Sequence, residues 1–482
     1  MRIKTDLPSV LKYHSVIIES AAREAGLDFF EVVFELLDAK DVNAIAAYGG
    51  FPVRYPSWRH GMEYERLEKS YRWGFSKIYE LVINNDPTYA YLVKSNSLLE
   101  QKLVMAHVYG HADFFKHNIW FAPTERRMLD RMGVHATRIR RYIDAFGQEK
   151  VESFVDLALS VDTLIDPFLP LRQHRSVPPP ANLPAPLSER TRMSLEALSQ
   201  APLSGPEPQV QTWPAHERRG VRQKALRLPT YDILGFLVER APTEPWQRDI
   251  LRIVRREAYY FVPQRMTKIM NEGWASYWHS SLLTGGLLEP SEIVDFADCH
   301  SNATACAPGQ LNPYKLGIEL FRHAAAQGLD VFQLRKVHKD LSFVHKLVDE
   351  EFSYRHLRPD IPPGPGAEQP WNWHDAKSQL MSSLAWGGLP QIELVEEDAD
   401  GELVLVHHHD GRDLKLDQAQ ETLRNLAGLW GRPVNLLTIL DKQGRKIVCD
   451  GDQVTVLDTT EADRACRGLD ADPGPGPDAI AS

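Results

Sequence analysis

The feature that most constrains the fold is a change in the spacing of apolar residues near residue 390. Before it, segments such as LPSVLKYHSVIIESAAREAGL and YERLEKSYRWGFSKIYELVI repeat apolar residues every three or four positions, which predicts amphipathic helices. After it, LPQIELVEEDADGELVLVHHHDGRDLKL alternates apolar and polar residues around a DADG turn, which predicts two strands. We therefore expect a mainly α N-terminal domain and a small α+β C-terminal domain.

The C-terminal domain is expected to span residues 390–460. The segment DQAQETLRNLAGLWG predicts a helix that ends at Gly431, and the segment after it predicts two or three more strands. This order of elements corresponds to a ββαββ domain.

A composition shift divides the helical core into two parts. Residues 173–222 are rich in Pro and Ser and poor in apolar residues, which predicts an extended insert or linker. The helical core is then expected to consist of residues 1–172 and 223–385, and the tail 461–482 to be disordered.

Charge and composition exclude several classes of protein. The net charge of -10 argues against a general nucleic-acid binder. No run of about 18 apolar residues predicts a membrane span, and the N-terminus has no apolar signal region. The four cysteines are too few for a disulfide framework. We expect a reduced, cytoplasmic protein.

The stretch HVYGHADFFKHN contains two histidines four positions apart in an apolar setting. On a helix, His107 and His111 share a face with Glu100 and can bind one metal ion from successive turns. The alternative is a pair of core histidines whose nitrogens are satisfied by hydrogen bonds.

A second segment, NEGWASYWH, favours the metal-binding alternative. Glu272 and His279 lie seven positions apart and share a helical face. A glutamate in an apolar helix is costly to bury unless it is paired or binds a metal. His107, His111 and Glu272 would complete a His₂Glu zinc site with an open position for water, provided that the two helices meet.

The segment DFADCHSNATACAPGQLNPYKLG contains further histidine and cysteine residues, whose spacing matches no strong zinc motif. We interpret His300 as a residue that supports the metal ligands or faces a substrate. The run HHHDG at a strand end is interpreted as structural or interfacial, because alternate side chains on a strand point to opposite faces.

Four segments together resemble one family. GFPVRYPSWRHGMEYE, MAHVYGHADFFKHN, FVPQRMTKIMNEGWASYWH and LNPYKLG, in this order, look like the SpoVR family, which comprises stage V sporulation protein R and its relatives in non-sporulating bacteria. The resemblance extends from about residue 8 to 455 and implies a link to the spore cortex, a peptidoglycan layer. It also implies a PrkA-type serine kinase and a von Willebrand-type protein as partners, but no particular reaction.

The helix pair is also similar to that of gluzincin peptidases, which combine an HExxH motif with a downstream glutamate helix. Val108 stands where such a motif carries its general base, so another carboxylate would have to act. Glu100 is the first candidate and Glu257 the second, although both could be helix caps or ion-pair members. His279 and His300 complete the candidate catalytic residues.

Three functions therefore compete. The first is a cytoplasmic zinc metallohydrolase that cleaves an amide bond in a peptide or a peptidoglycan-related substrate. The second is a dinuclear centre of the di-iron carboxylate type, but the site lacks the Glu-x-x-His pairs that such centres need. The third is a non-catalytic regulatory or scaffold partner of the kinase system, with a degenerate metal site and the C-terminal domain as its docking module.

Overall fold

The computed structural model describes five parts of the chain, with gaps between them. The expected insert lies outside the described residues apart from its first three positions, and the expected disordered tail lies wholly outside them. The described ranges are 7–72, 80–175, 228–305, 311–357 and 371–460.

Helices dominate the described chain up to residue 388, which confirms the mainly α N-terminal region. Short 3-10 and π turns at 283–287, 290–292, 353–357 and 385–388 join some of them. In chain order the helices are α1 (Ser9–Glu24), α2 (Ala39–Ala47), α3 (Trp58–Arg72), α4 (Leu98–His117), α5 (Met128–Phe146), α6 (Gln148–Leu159), α7 (Leu169–Arg175), α8 (Ile233–Arg240), α9 (Pro245–Met266), α10 (Lys268–Leu282), α11 (Ile293–Thr304), α12 (Pro313–Ala326), α13 (Val331–Val337), α14 (Asp340–Leu347), α15 (Glu350–Phe352), α16 (Trp373–Leu384) and α17 (Leu416–Trp430).

A three-stranded sheet interrupts the N-terminal helices and was not predicted. Its strands are β1 (Val32–Leu37), β2 (Glu80–Ile83) and β3 (Thr88–Val93), with β3 in the centre, parallel to β1 and antiparallel to β2. The end of the segment YERLEKSYRWGFSKIYELVI is therefore strand β2, and the helix expected there was wrong for these residues. A short apolar run fits both the helical spacing of three to four residues and the strand spacing of two. Pairing with β3 favours the strand.

The C-terminal domain is confirmed as α+β, with one strand more than the expected ββαββ order. Its sheet runs in the order β4 to β8, and β5 and β6 are parallel because α17 connects them. The strands are β4 (Ile392–Glu397), β5 (Leu403–His407), β6 (Val434–Leu440), β7 (Gln443–Asp450) and β8 (Gln453–Asp458).

The C-terminal sheet shares a hydrophobic core with the helical region. Thr230 and Leu394 exchange two backbone hydrogen bonds of 2.8 Å, so β4 gains a pairing partner from the helical core. The rings of Phe236 in α8 and Trp430 in α17 lie 5.5 Å apart, both buried. The two regions are thus packed together rather than joined only by a linker.

Small residues allow three helices of the core to approach closely. Helix α10 packs between α4 and α12. A Cβ atom built on Gly110 would lie 2.7 Å from the Cα of Ala275, and one built on Gly273 would lie 2.4 Å from the Cα of Gly317. Real Cβ contacts of this length do not occur, so these glycines set the separation of the helices. The same contacts bring the faces that carry the candidate ligands together.

Candidate metal centre

The three residues expected to bind zinc lie together between α4 and α10. The Oε2 atom of Glu272 lies 3.6 Å from the Nε2 atoms of both His107 and His111. The candidate ligand atoms all lie within 4.8 Å of one another. The two histidines are buried, and the Glu272 side chain is 19% exposed. The centre is therefore enclosed, with limited access from solvent at Glu272.

Hydrogen bonds on the far side of each imidazole orient the two histidines. The Nδ1 atom of His111 lies 2.9 Å from the Oδ1 atom of Asn271. The Nδ1 atom of His107 lies 2.8 Å from the Nδ1 atom of His279. When Nδ1 carries the proton and donates in these contacts, the Nε2 lone pair of each neutral imidazole points at Glu272. Histidines that bind metals are held in this way.

The distances within the centre fit a zinc ion. Ligand distances of about 2.0 to 2.2 Å and tetrahedral angles place two ligand atoms about 3.3 to 3.6 Å apart. The observed separation of 3.6 Å between Glu272 Oε2 and each Nε2 atom is too long for a hydrogen bond but matches that geometry. Among the described residues no donor lies within hydrogen-bond distance of Glu272 Oε2, which is buried. A cation between these atoms would satisfy it.

The electrostatics keep the carboxylate of Glu272 ionised. Burial acts to raise the pKa of this group, but His107, His111 and Tyr314 together outweigh burial and lower the pKa below its usual value. Burial, reinforced by His107 and His300, lowers the pKa of His279 well below its usual value. His279 is therefore neutral at physiological pH, and its Nδ1 atom can accept a hydrogen bond from the Nδ1–H group of His107.

Sequence reasoning missed Tyr314, which lies beside the centre. Asn312 caps the first turn of α12 by accepting a hydrogen bond of 2.8 Å from the Tyr314 backbone N–H. The Tyr314 ring stacks against His107 with 6.1 Å between ring centroids, and its hydroxyl contributes to the lowered pKa of Glu272. The Asn-Pro sequence predicts the helix start, but nothing in the sequence shows that α12 packs on α10.

Comparison with known proteins assigns the family. The family model for SpoVR like protein matches residues 5–357, and the model for the SpoVR-like C-terminal domain matches residues 390–441. The chain belongs to the SpoVR family. It is also 31% identical over 327 residues to the Escherichia coli (strain K12) protein named "Uncharacterized protein YcgB". That match covers 63% of this chain and 61% of the relative, so it spans about three fifths of the relative's length. No solved structure matches the chain.

In this SpoVR protein, two further histidines extend from the centre towards the surface. His279 on α10 places its Nε2 atom 3.1 Å from the Nδ1 atom of His300 on α11. His300 is half-buried and lines an open cleft between α11 and α12. Both candidate histidines therefore lie behind His107, in a hydrogen-bonded series, rather than among the ligand atoms.

Glu100, the first candidate for a general base, lies at the N-terminus of α4. Its carboxylate accepts a hydrogen bond of 2.7 Å from the backbone N–H of Ser97, and its own N–H donates to the Ser97 hydroxyl at 3.2 Å. This capping box lies two helical turns, or about 10 Å, before His107. The contacts of Glu100 are those of a helix cap.

Glu257, the second candidate, belongs to another buried cluster. Its two carboxylate oxygens contact Arg54 and His135, each at 2.8 Å, and the side chain is almost fully buried. Neither Glu100 nor Glu257 is part of the ligand group. Val108 is fully buried in the hydrophobic core. The described residues therefore place no second carboxylate among the candidate ligand atoms.

The described part of the chain contains no helix that is long and apolar enough to cross a membrane.

Proposed function

We propose that His107, His111 and Glu272 bind a zinc ion, and that the protein is a cytoplasmic zinc-dependent hydrolase. Its substrate would be an amide bond in a peptide or a peptidoglycan-related molecule, in keeping with the family's association with the spore cortex. One observation carries the metal assignment: two oriented imidazoles converge on one carboxylate oxygen, with each Nε2 atom 3.6 Å from Glu272 Oε2.

Two nitrogens and one carboxylate oxygen form the ligand set of many catalytic zinc sites, which keep a fourth position open. A bound zinc ion supplies a Lewis acid that polarises a carbonyl group and lowers the pKa of water. A zinc ion bound there would support hydrolysis rather than electron transfer, because zinc has no redox chemistry.

The protein's own residues supply orientation and hydrogen bonding. Asn271 and His279 hold the two imidazoles, so the geometry of the ligands is fixed before a metal binds. Tyr314 brings a phenol beside Glu272, where it can donate a hydrogen bond to the oxygen of a substrate carbonyl. We assign the stabilisation of developing negative charge to Tyr314.

The experiment that tests hydrolysis uses protein that has been depleted of metal and then loaded with zinc. Short peptides and peptidoglycan-derived muropeptides would be incubated with it, and new amino groups identified by mass spectrometry. We expect cleavage by the zinc-loaded protein that is lost when zinc is removed, and that is also lost in His111→Ala. In Tyr314→Phe the cleavage rate should fall about 10²-fold or more. Cleavage that persists in zinc-free protein would contradict the proposal.

The alternative function is a non-catalytic partner of a PrkA-type kinase and a von Willebrand-type protein, in sporulation or a stress response. The position of Val108, together with the contacts of Glu100 and Glu257, favours it, because the described residues place no second carboxylate among the candidate ligand atoms. In that case the metal would only hold α4 and α10 together. A zinc-loaded protein that cleaves none of the substrates, but binds the kinase in a His107-dependent manner, would favour this alternative.

A further inference from the structure

An open cleft of about 550 Å³ lies between α11 and α12, away from the metal ligands. His300 forms part of its wall, and the series His300–His279–His107 separates it from the candidate centre. Because His279 contacts the Nδ1 side of His107, the cleft lies behind that ligand, not on the side that faces Glu272. A molecule in the cleft would therefore occupy a second site.

Apolar side chains line the cleft. Phe296 and Ile318 line it and are themselves buried in the protein. Ile293 lies on its rim with 55% of its surface exposed to solvent. Covering such a side chain with an apolar group is favourable because it removes apolar surface from water. The cleft thus suits a ligand with a short apolar body.

The cleft also carries positive charge. Lys315 and Arg322 line it, and Glu319 is the one acidic residue among the described lining residues. Arg322 donates to Glu319 at 2.7 Å and to Ser280 at 3.5 Å, and 44% of its side chain is exposed. An arginine has five N–H donors in a planar fork that matches a carboxylate or a phosphate, so Arg322 can bind a further anion.

We propose that this cleft binds a small molecule with an apolar body and one compact anionic group, a carboxylate or a phosphate. The anion contacts Arg322 and Lys315, and the apolar body covers Ile293 and Phe296. The site does not depend on a bound metal, so the proposal goes beyond the proposed hydrolase function and can be tested separately from it.

The test is isothermal titration calorimetry of the full, metal-free chain with hexanoate, hexyl phosphate and hexanol. We expect one-to-one binding of at least one anion and at least tenfold weaker binding of hexanol, because a charge-assisted hydrogen bond contributes about a factor of ten or more. The anion that binds more tightly distinguishes a carboxylate ligand from a phosphate ligand.

Two variants and one control locate the site. Lys315→Met and Arg322→Met should each weaken anion binding about tenfold, and either one suffices if the other does not fold. Arg355→Met removes an exposed arginine that is paired with Glu351, outside the cleft, and should leave binding unchanged. The proposal is overturned if no anion binds, if hexanol binds as tightly, or if the folded cleft variants bind like the wild type.

Discussion

Gly110 of α4 lies directly against the backbone of Ala275 of α10, since a Cβ atom on Gly110 would come within 2.7 Å of the Ala275 Cα. This contact lies between the turns that carry His107 and His111. It fixes how closely α10, which carries Glu272, approaches these two histidines. We predict that Gly110→Ala separates the helices, destabilises the fold by about 1 to 3 kcal/mol and weakens zinc binding. Thermal unfolding and zinc titration measure both effects.

Gly133 provides the matched control for this substitution. It also lies within a helix, α5, but a Cβ atom built on it would meet nothing within 4 Å. Gly133→Ala should therefore leave zinc binding intact and stabilise the protein slightly, because alanine has the higher helix propensity. If Gly110→Ala bound zinc as tightly as Gly133→Ala, the helix contact would not control the site.

His279 positions His107 by accepting a hydrogen bond from its Nδ1–H group, when that nitrogen carries the proton. We predict that His279→Ala lowers zinc affinity about 10- to 100-fold, because the buried Nδ1–H of His107 loses its acceptor and the ring loses its orientation. His279→Gln, whose amide oxygen can still accept, should restore part of the affinity. Competition with a fluorescent chelator gives the dissociation constants.

A histidine on the surface serves as the control for the His279 variants. His345 on α14 is exposed, and His345→Ala should bind zinc like the wild type. Equal zinc affinities for His279→Ala and His345→Ala would show that His279 has no positioning role.

Substitution of Glu257 or Glu100 should lower the stability of the protein by different amounts, and neither substitution should change its zinc content. Glu257→Ala leaves the buried guanidinium of Arg54 without its counter-charge, so we expect a loss of about 3 to 5 kcal/mol in the free energy of unfolding. Glu100→Ala removes one half of a capping box and should cost about 1 kcal/mol. Denaturant unfolding measures these losses, and zinc loss from either folded variant would disagree with the structure.

Asp340 should make stability fall as the pH rises towards neutrality. It accepts hydrogen bonds from the backbone N–H groups of Ile269 and Met270 at the start of α10. Burial raises its pKa from 3.8 to about 7. Between these values the folded state binds the proton and the unfolded state does not, so this contribution to stability is lost as the pH rises through about 7.

The variant Asp340→Asn isolates that effect. Relative to it, the wild type should lose stability between about pH 4 and pH 7, as measured by urea unfolding at several pH values. Asp375→Asn, at an exposed position of α16, should leave the pH dependence of the wild type unchanged. Parallel curves for the wild type and Asp340→Asn would rule out a raised pKa for Asp340.

The convergence of His107, His111 and Glu272 could be predicted because most of the information for it is local. His107 and His111 share a face through helical spacing alone, and small residues beside Glu272 indicate that another helix approaches. The signature Ser97-x-x-Glu100 also predicts the capping box that the structure shows. This signature is a better guide to the contacts of Glu100 than the helical face it shares with His107 and His111, which made it a candidate base.

The remaining parts of the site depend on tertiary packing. Gly317 lies against Gly273, and this contact between distant parts of the sequence packs the helix of Tyr314 against the centre. The pairing of His279 with His107 depends on how α10 is rotated about its axis. The apolar residues of strand β1 likewise follow no clear helical or strand spacing. Its partner β3 lies more than 50 residues along the chain.

The most direct test of the account is the zinc content of protein purified without an affinity tag, measured by elemental mass spectrometry. His107→Ala and Glu272→Ala would be measured beside the wild type, with circular dichroism to show that each remains folded. We predict about one zinc ion per chain in the wild type and a loss of zinc in both folded variants. A wild type that binds no zinc on reconstitution, or variants that retain it, would contradict the assignment of this centre.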